Sequence, residues 1–315
     1  MSFAVSIANL TKQYGAFTAL QDLTLDVPHG SMFGLLGPTG AGKTTTIKIL
    51  VGLIEATRGS VWVNGVPVSR RGEHRRHLGY LAQDPNFYPW MTGREVLKYT
   101  AEFYGGAPRS RLNDLLDRAG LAKVAQRPCR TYSAGMRQRL GIAQALVGRP
   151  AVVILDEPGS ALDPLGRAEI LALLQSLRDE TTVVFSTHSL EDVQRISDYV
   201  AILNKGQLVK TAPTQALLSS YSNGSLRIIL VGADDTTLDA LRAIPGVRAA
   251  SLVEHAGDRW IYTLRTAAAD VSVVQRAITR FAGDRGLTLI TNEALEIDLE
   301  TVFLRLLGVH LEEVW

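Results

Sequence analysis

The sequence predicts an α/β fold, a parallel sheet flanked by helices, followed by a smaller α+β domain. Three observations carry that reading. The apolar run Met32-Phe33-Gly34-Leu35-Leu36 enters a glycine-rich turn, after which Ile47, Ile49, Leu50 and Leu53 mark a helix. Two further apolar runs, residues 151–155 and 182–185, have no polar face, as expected of strands buried on both sides of a parallel sheet. From about residue 225 the pattern reads strand, helix, strand, strand, helix, strand, the order of a split β-α-β, ferredoxin-like unit.

The turn itself, Gly37-Pro38-Thr39-Gly40-Ala41-Gly42-Lys43-Thr44, fits G-x-x-x-x-G-K-[ST], the phosphate-binding loop of a P-loop NTPase core. Its glycines let successive N–H groups converge on one anion, and the following helix N-terminus adds its positive dipole end. Lys43 is placed to reach the β- and γ-phosphates, the Thr44 hydroxyl to ligate Mg²⁺, and Thr45 continues the binding set. A nucleoside triphosphate is the expected ligand.

Composition narrows the class. At 315 residues, two domains are expected from a prior of about 150 residues each. An apolar fraction of 46% suits a sizeable core. Lys and Arg number 33 against 31 Asp and Glu, which argues against a general nucleic-acid binder. No apolar run reaches the length of a membrane span, and no signal-peptide pattern opens the chain. The single Cys129 excludes an intrachain disulfide and fits a reducing compartment, so a cytoplasmic protein is expected.

In chain order, residues 2–9 read as a strand, followed by Lys12-Gln13-Tyr14-Gly15, and residues 20–27 alternate as a second, half-buried strand. Val61-Trp62-Val63 with Asn64-Gly65 suggests a hairpin arm and its turn. The basic cluster Arg70, Arg71, Arg75 and Arg76 reads as a solvated helix face. Residues 79–83 form a short strand ending in Gln83, and the aromatic, proline-punctuated stretch Asp84-Pro85-Asn86-Phe87-Tyr88-Pro89-Trp90 follows. Residues 92–148 are helical with breaks near Gly105-Gly106 and Arg127-Pro128. The buried strand 151–155 ends in Asp156-Glu157, and the strand 182–185 ends at Ser186-Thr187-His188. A helix covers about 164–179, and a hairpin turns at Asn204-Lys205-Gly206. Residues 219–225 read as a linker, and a last helix covers about 299–307.

Tyr132-Ser133-Ala134-Gly135-Met136-Arg137-Gln138-Arg139 resembles the signature motif of ATP-binding-cassette (ABC) ATPases. The resemblance extends, in family order, to Tyr14 as the adenine-stacking aromatic, Gln83 as the Q-loop residue, and Asp156-Glu157 as the end of the Walker B strand. It further includes Ser160-Ala161-Leu162-Asp163 as the D-loop, with Asp163 near nucleotide, and His188 as the switch histidine. It implies the ABC ATPase fold, with antiparallel β and helical subdomains. Asp156, Thr44 and Gln83 would then serve Mg²⁺, Glu157 would activate the attacking water, and His188 would contact the γ-phosphate. Ser133, Ala134 and Gly135 would serve the ATP held by a second copy, so two copies are expected to close head-to-tail on two ATPs. Ala134, Gly159 and Ala161 depart from the family pattern, and a methyl at Ala134 threatens either crowding or a forbidden positive φ.

The resemblance is strongest to the ATPase subunits of ABC-2-type bacterial exporters. It implies a separate membrane permease as partner and a location at the inner face of the membrane. The expected division is a cassette at 1–220, with its helical subdomain at about 84–148, and an accessory domain at 225–315. The competing readings are a soluble ABC ATPase acting on nucleic acid or ribosomes, and a slow nucleotide-sensing module.

Overall fold

The structure is a computed structural model that describes residues 3–69, 71–160, 162–221, 224–267, 270–295 and 298–308. The chain divides into two compact units, Met1–Thr214 and Gln215–Trp315.

The first unit is built on two sheets. One is antiparallel, in the order β2-β1-β4-β5, from β1 (Phe3–Tyr14), β2 (Phe17–Pro28), β4 (Arg58–Val63) and β5 (Val66–Pro67). The other has the order β10-β9-β3-β8-β7-β6, from β3 (Met32–Leu36), β6 (Leu78–Leu81), β7 (Val152–Leu155), β8 (Thr182–Thr187), β9 (Tyr199–Asn204) and β10 (Gln207–Pro213). It is parallel from β9 to β6, with β10 joined antiparallel through the turn at Lys205 and Gly206. Every residue of β3, β7 and β8 is buried, including the hydroxyl residues Thr182, Ser186 and Thr187 that flank the apolar run of β8. Ile7, Leu10, Leu23 and Leu25 from the antiparallel sheet share a core with Phe33, Leu35 and Ile47.

Helix α1 (Lys43–Leu50) follows β3 directly. The helical part between β6 and β7 consists of α2 (Gly93–Glu102), α3 (Arg109–Arg118) and α4 (Ala134–Ala145). α2 begins with a capping box in which Thr92 and Glu95 satisfy each other's backbone N–H groups. Leu97, Leu115, Leu116, Leu121, Leu140 and Ile142 of this helical part are fully buried. α5 (Pro164–Gln175) and α6 (Leu190–Ile196) complete the series, and α7 (Thr214–Tyr221) begins at the boundary between the two units.

Several boundaries differ from the sequence reading. β1 continues past Asn9 to Tyr14, because it pairs on one side with β2 and on the other with β4, absorbing irregular register between Ile7 and Gln13. The expected helix at the basic cluster is only a five-residue 3₁₀ turn, Glu73–His77. Its His74 is completely buried, which pushes the imidazole pKa down, while Arg70 lies outside the described residues. The start of the expected linker is helical, because α7 runs to Tyr221.

The second unit comprises β11 (Ser225–Val231), α8 (Thr237–Arg242), β12 (Val247–Ala256), β13 (Arg259–Thr266), α9 (Val271–Asp284), β14 (Thr288–Ala294) and α10 (Leu299–Leu306). Its sheet has the order β12-β13-β11-β14 with every neighbour antiparallel. α8 and α9 therefore each bridge two parallel strands across an intervening antiparallel one, which is the split β-α-β arrangement. Val274 and Ile278 of α9 are fully buried with Leu226, Ile228, Tyr262 and Leu264, and Val271 and Phe281 pack at the edge of that cluster.

Candidate active site

The site starts from β3, whose buried strand delivers the chain at Gly37. Two glycines are sterically required here. A side chain on Gly37 would collide with the Leu203 carbonyl. Gly42, at φ +105°, is the N-cap of α1, and a side chain there would collide with Leu20. Lys43 opens the helix and its Nζ turns back over the loop, donating to the Gly37 carbonyl at 2.7 Å and the Pro38 carbonyl at 3.3 Å. The same ammonium lies 3.3 Å from Glu157 Oε1. Helix dipole, loop N–H groups and ammonium thus converge where a phosphate chain would lie.

The carboxylates come from β7, which is separated from β3 by β8 in the parallel sheet. Asp156 follows β7, and its Oδ1 accepts from Thr44 Oγ1 at 3.3 Å and from Ser186 Oγ at 2.7 Å. Ser186, on β8, also accepts from the Glu157 N–H at 2.8 Å. One fully buried hydroxyl therefore fixes both acidic residues. Glu157 needs that support, because it holds a positive φ of 48°, a left-handed conformation that non-glycine residues adopt at a cost. Its second oxygen, Oε2, lies 2.8 Å from His188 Nδ1. The Glu157 carboxylate is thus gripped by a cation on one side and an imidazole on the other, with its side chain only 10% exposed.

A cavity of about 340 Å³ opens over these groups. It is lined by Pro38, Thr39, Gly40, Ala41, Gly42, Lys43, Thr44, Thr45, Gln83, Glu157 and His188, all singled out from the sequence. Phe17, Ala19 and Ser160 line it as well. Tyr14, expected to stack on a base, is not among the lining residues, and its ring is covered by the Lys12 ammonium at 4.8 Å. Phe17, its direct cross-strand partner, takes the wall instead. Sequence reasoning also missed Ser186. A hydroxyl at the carboxyl end of a buried strand was the available signal.

The remaining expected residues stand apart from this cavity. Ser133 is the N-cap of α4, accepting from the Met136 N–H at 3.2 Å. Asp163 caps α5 through the Gly166 N–H at 3.1 Å. Ala134 and Gly135 are helical with ordinary φ, so the methyl of Ala134 forbids no required conformation. Gly159 likewise has no positive φ, and Ala161 lies outside the described residues.

A divalent cation needs hard oxygen donors, and the Thr44 hydroxyl and Asp156 carboxylate form such a pair beside the phosphate loop. Among the described residues no three His, Cys, Asp or Glu side chains cluster as a metal cage. Two protein oxygens completed by phosphate and water is the arrangement Mg²⁺ commonly takes.

Residues 20–160 match the family described as ABC transporter. The uncharacterized ABC transporter ATP-binding protein YxlF of Bacillus subtilis (strain 168) is 40% identical over 207 residues, covering 65% of this chain and 69% of that one. The bacitracin transport ATP-binding protein BcrA of Enterococcus faecalis is 38% identical over 214 residues, covering 67% and 69%. Among solved structures, an ATP-binding subunit of an ABC transporter superposes with a TM-score of 0.64 at 30% identity, covering 70% and 93%. The dimeric cassette MJ0796, bound to ADP and Pi in a post-hydrolysis state, gives 0.61 at 28% identity, covering 67% and 98%. With its phosphate loop, paired carboxylates and capped signature helix in place, the chain belongs to the ATP-binding-cassette family of transporter ATP-binding proteins.

Proposed function

We infer that the protein hydrolyses MgATP, that two copies close head-to-tail over two nucleotides, and that this closure drives export through a separate membrane permease. The carrying observation is the Glu157 carboxylate, held by Lys43 and His188 at the mouth of the phosphate loop. In that position Glu157 orients the attacking water and accepts its proton, while Lys43 and the loop N–H groups stabilise charge on the phosphates. Mg²⁺ held at Thr44 and Asp156 would neutralise charge on the β- and γ-oxygens. Gln83 would read the γ-phosphate and the metal from the opposite wall.

Ser133 and its neighbouring N–H groups at the start of α4 have no role in their own chain's cavity, which favours a role toward the second copy's ATP. Asp163 would approach nucleotide through the same closure. The relatives named for bacitracin and lantibiotic transport support an exporter. No helix among the described residues is long and apolar enough to cross a membrane, so a permease would supply the membrane path and hold this subunit at the inner face.

The permease surface is argued from exposed aromatics. Tyr88 and Trp90 stack at 5.1 Å between centroids, and Tyr99 and Phe103 meet edge-on at 5.3 Å. Trp90 is 67% and Phe103 72% exposed, beside a cavity of about 370 Å³ lined by Phe87, Tyr88, Met91, Val96 and Tyr99. Large aromatics left in water in this number mark a docking surface.

The test is Glu157→Gln, which keeps shape and removes the base. Turnover should fall by about 10²–10⁴ while MgATP affinity is retained. Wild-type turnover in this variant would remove Glu157 from the chemistry.

A further inference from the structure

Gln83 faces the nucleotide cavity from the chain just after β6, and nothing in its own side chain explains why it stays there. The explanation lies on α4. The side-chain amide of Gln138 donates from Nε2 to the backbone carbonyl of Gln83 at 2.6 Å. Gln138 is only 3% exposed, and its other amide atom, Oε1, is buried without a partner. A half-satisfied buried amide costs stability relative to an apolar side chain of the same size, so its presence is not explained by packing.

The close approach that permits this bond is itself built in. α4 passes the 81–85 segment at Gly141, where any side chain would collide with Leu81 and press on Pro85. Pro85 in turn disfavours helical backbone at Asp84, and the segment is held at two carbonyls, Leu81 by the Asp156 N–H at 2.9 Å and Gln83 by Gln138. At the N-terminus of the same helix, Ser133 forms the cap. Arg137, next to Gln138, anchors the cap's preceding residue by donating to the Tyr132 carbonyl at 2.8 Å.

We propose that Gln138 is a positioning residue for hydrolysis: its amide N–H fixes the Gln83 carbonyl, and through it the place of the Gln83 side chain in the nucleotide cavity. The bond makes the residue reading one ATP and the helix end serving the second copy's ATP move as one piece. This rests on the ATPase reading above. Because Gln138 does not touch nucleotide, its removal should act on turnover and leave binding alone.

Three full-length proteins test it, with wild type and Glu157→Gln as references. Gln138→Leu removes the donor and the unpaired acceptor together. It should lose about tenfold to a hundredfold in kcat, the scale of a small misplacement, with KM for ATP and the thermal midpoint held or the midpoint raised. Gln138→Glu presents a carboxylate to the Gln83 carbonyl at high pH and a donating carboxylic acid at low pH. Burial raises the pKa of a carboxyl group, so its rate relative to wild type should recover as pH falls from 8 towards 6. Gln138→Asn, one methylene short of the carbonyl, should resemble Gln138→Leu. Unchanged kcat in Gln138→Leu would overturn the proposal, as would a Gln138→Glu protein that is slow by the same factor at every pH. If wild type itself fails to turn over ATP, or matches Glu157→Gln, it is the ATPase reading that has failed.

Discussion

The two units treat buried polarity in opposite ways. The first buries Lys43, Asp156, Glu157 and Asp192, and each is paired. Lys43 meets Glu157, Asp156 takes hydroxyls from Thr44 and Ser186, and Asp192 receives both its oxygens' bonds from Arg167 Nε at 2.8 and 2.9 Å. Among the described residues of the second unit, the buried polar side chains are Thr237 and Thr266, and no charge is buried. Burying charge is costly unless every group finds a partner, and three of these four charges converge at the phosphate loop while Asp192 pairs apart from it. The described core of the second unit is apolar, built from residues such as Ile228, Tyr262, Leu264 and Ile278.

The largest expected effect that sharpens this contrast is in the second unit. Ile278→Ala empties a fully buried position on α9 and should cost that unit about 2–5 kcal/mol. Calorimetry should show the loss, while equilibrium titration finds MgATP affinity unchanged. Affinity falling in step with stability would mean that the units share one energetic core.

Ser186→Ala comes next. It strips Asp156 of a donor and the Glu157 N–H of its acceptor in one step, at about 1–3 kcal/mol. Turnover should drop more than ATP affinity, measured by steady-state kinetics beside a binding assay. Equal kcat in variant and wild type would show that Glu157 holds its left-handed backbone without this hydroxyl.

The smallest effect on the isolated protein is expected from Tyr88→Ala with Trp90→Ala. Surface substitutions of this kind stay within about 0.5 kcal/mol, so folding and ATP affinity should match wild type. Recovery with a membrane partner from detergent extracts should fall. Full-strength assembly would move the docking surface elsewhere.

These same contrasts explain what was legible in the sequence. The phosphate loop, the strand-end carboxylates and the α9 stripe are local patterns, in which one segment carries its own spacing and its own chemistry. Phe17 carries no sequence signal and Ser186 only a faint one, a hydroxyl at the end of a buried strand. Each becomes part of the site only through a neighbouring strand, β1 for Phe17 and β7 for Ser186, and register is a tertiary fact. Arg71, Arg75 and Arg76 are exposed, as expected of a solvated face, but the segment Glu73–His77 is a 3₁₀ turn whose run of charges conceals one buried imidazole. The length of β1 was underestimated for a related reason, since its irregular register breaks the alternation that announces a strand.

If one copy cannot complete a site and two copies can, Glu157→Gln, expected to bind ATP and consume it very slowly, should reveal the pairing by sedimentation. In saturating MgATP it should form a dimer holding two ATP, return to monomer in ADP, and stay monomeric throughout when Ser133→Arg blocks the start of α4. A Glu157→Gln protein that remains monomeric in MgATP at every concentration would contradict the pairing.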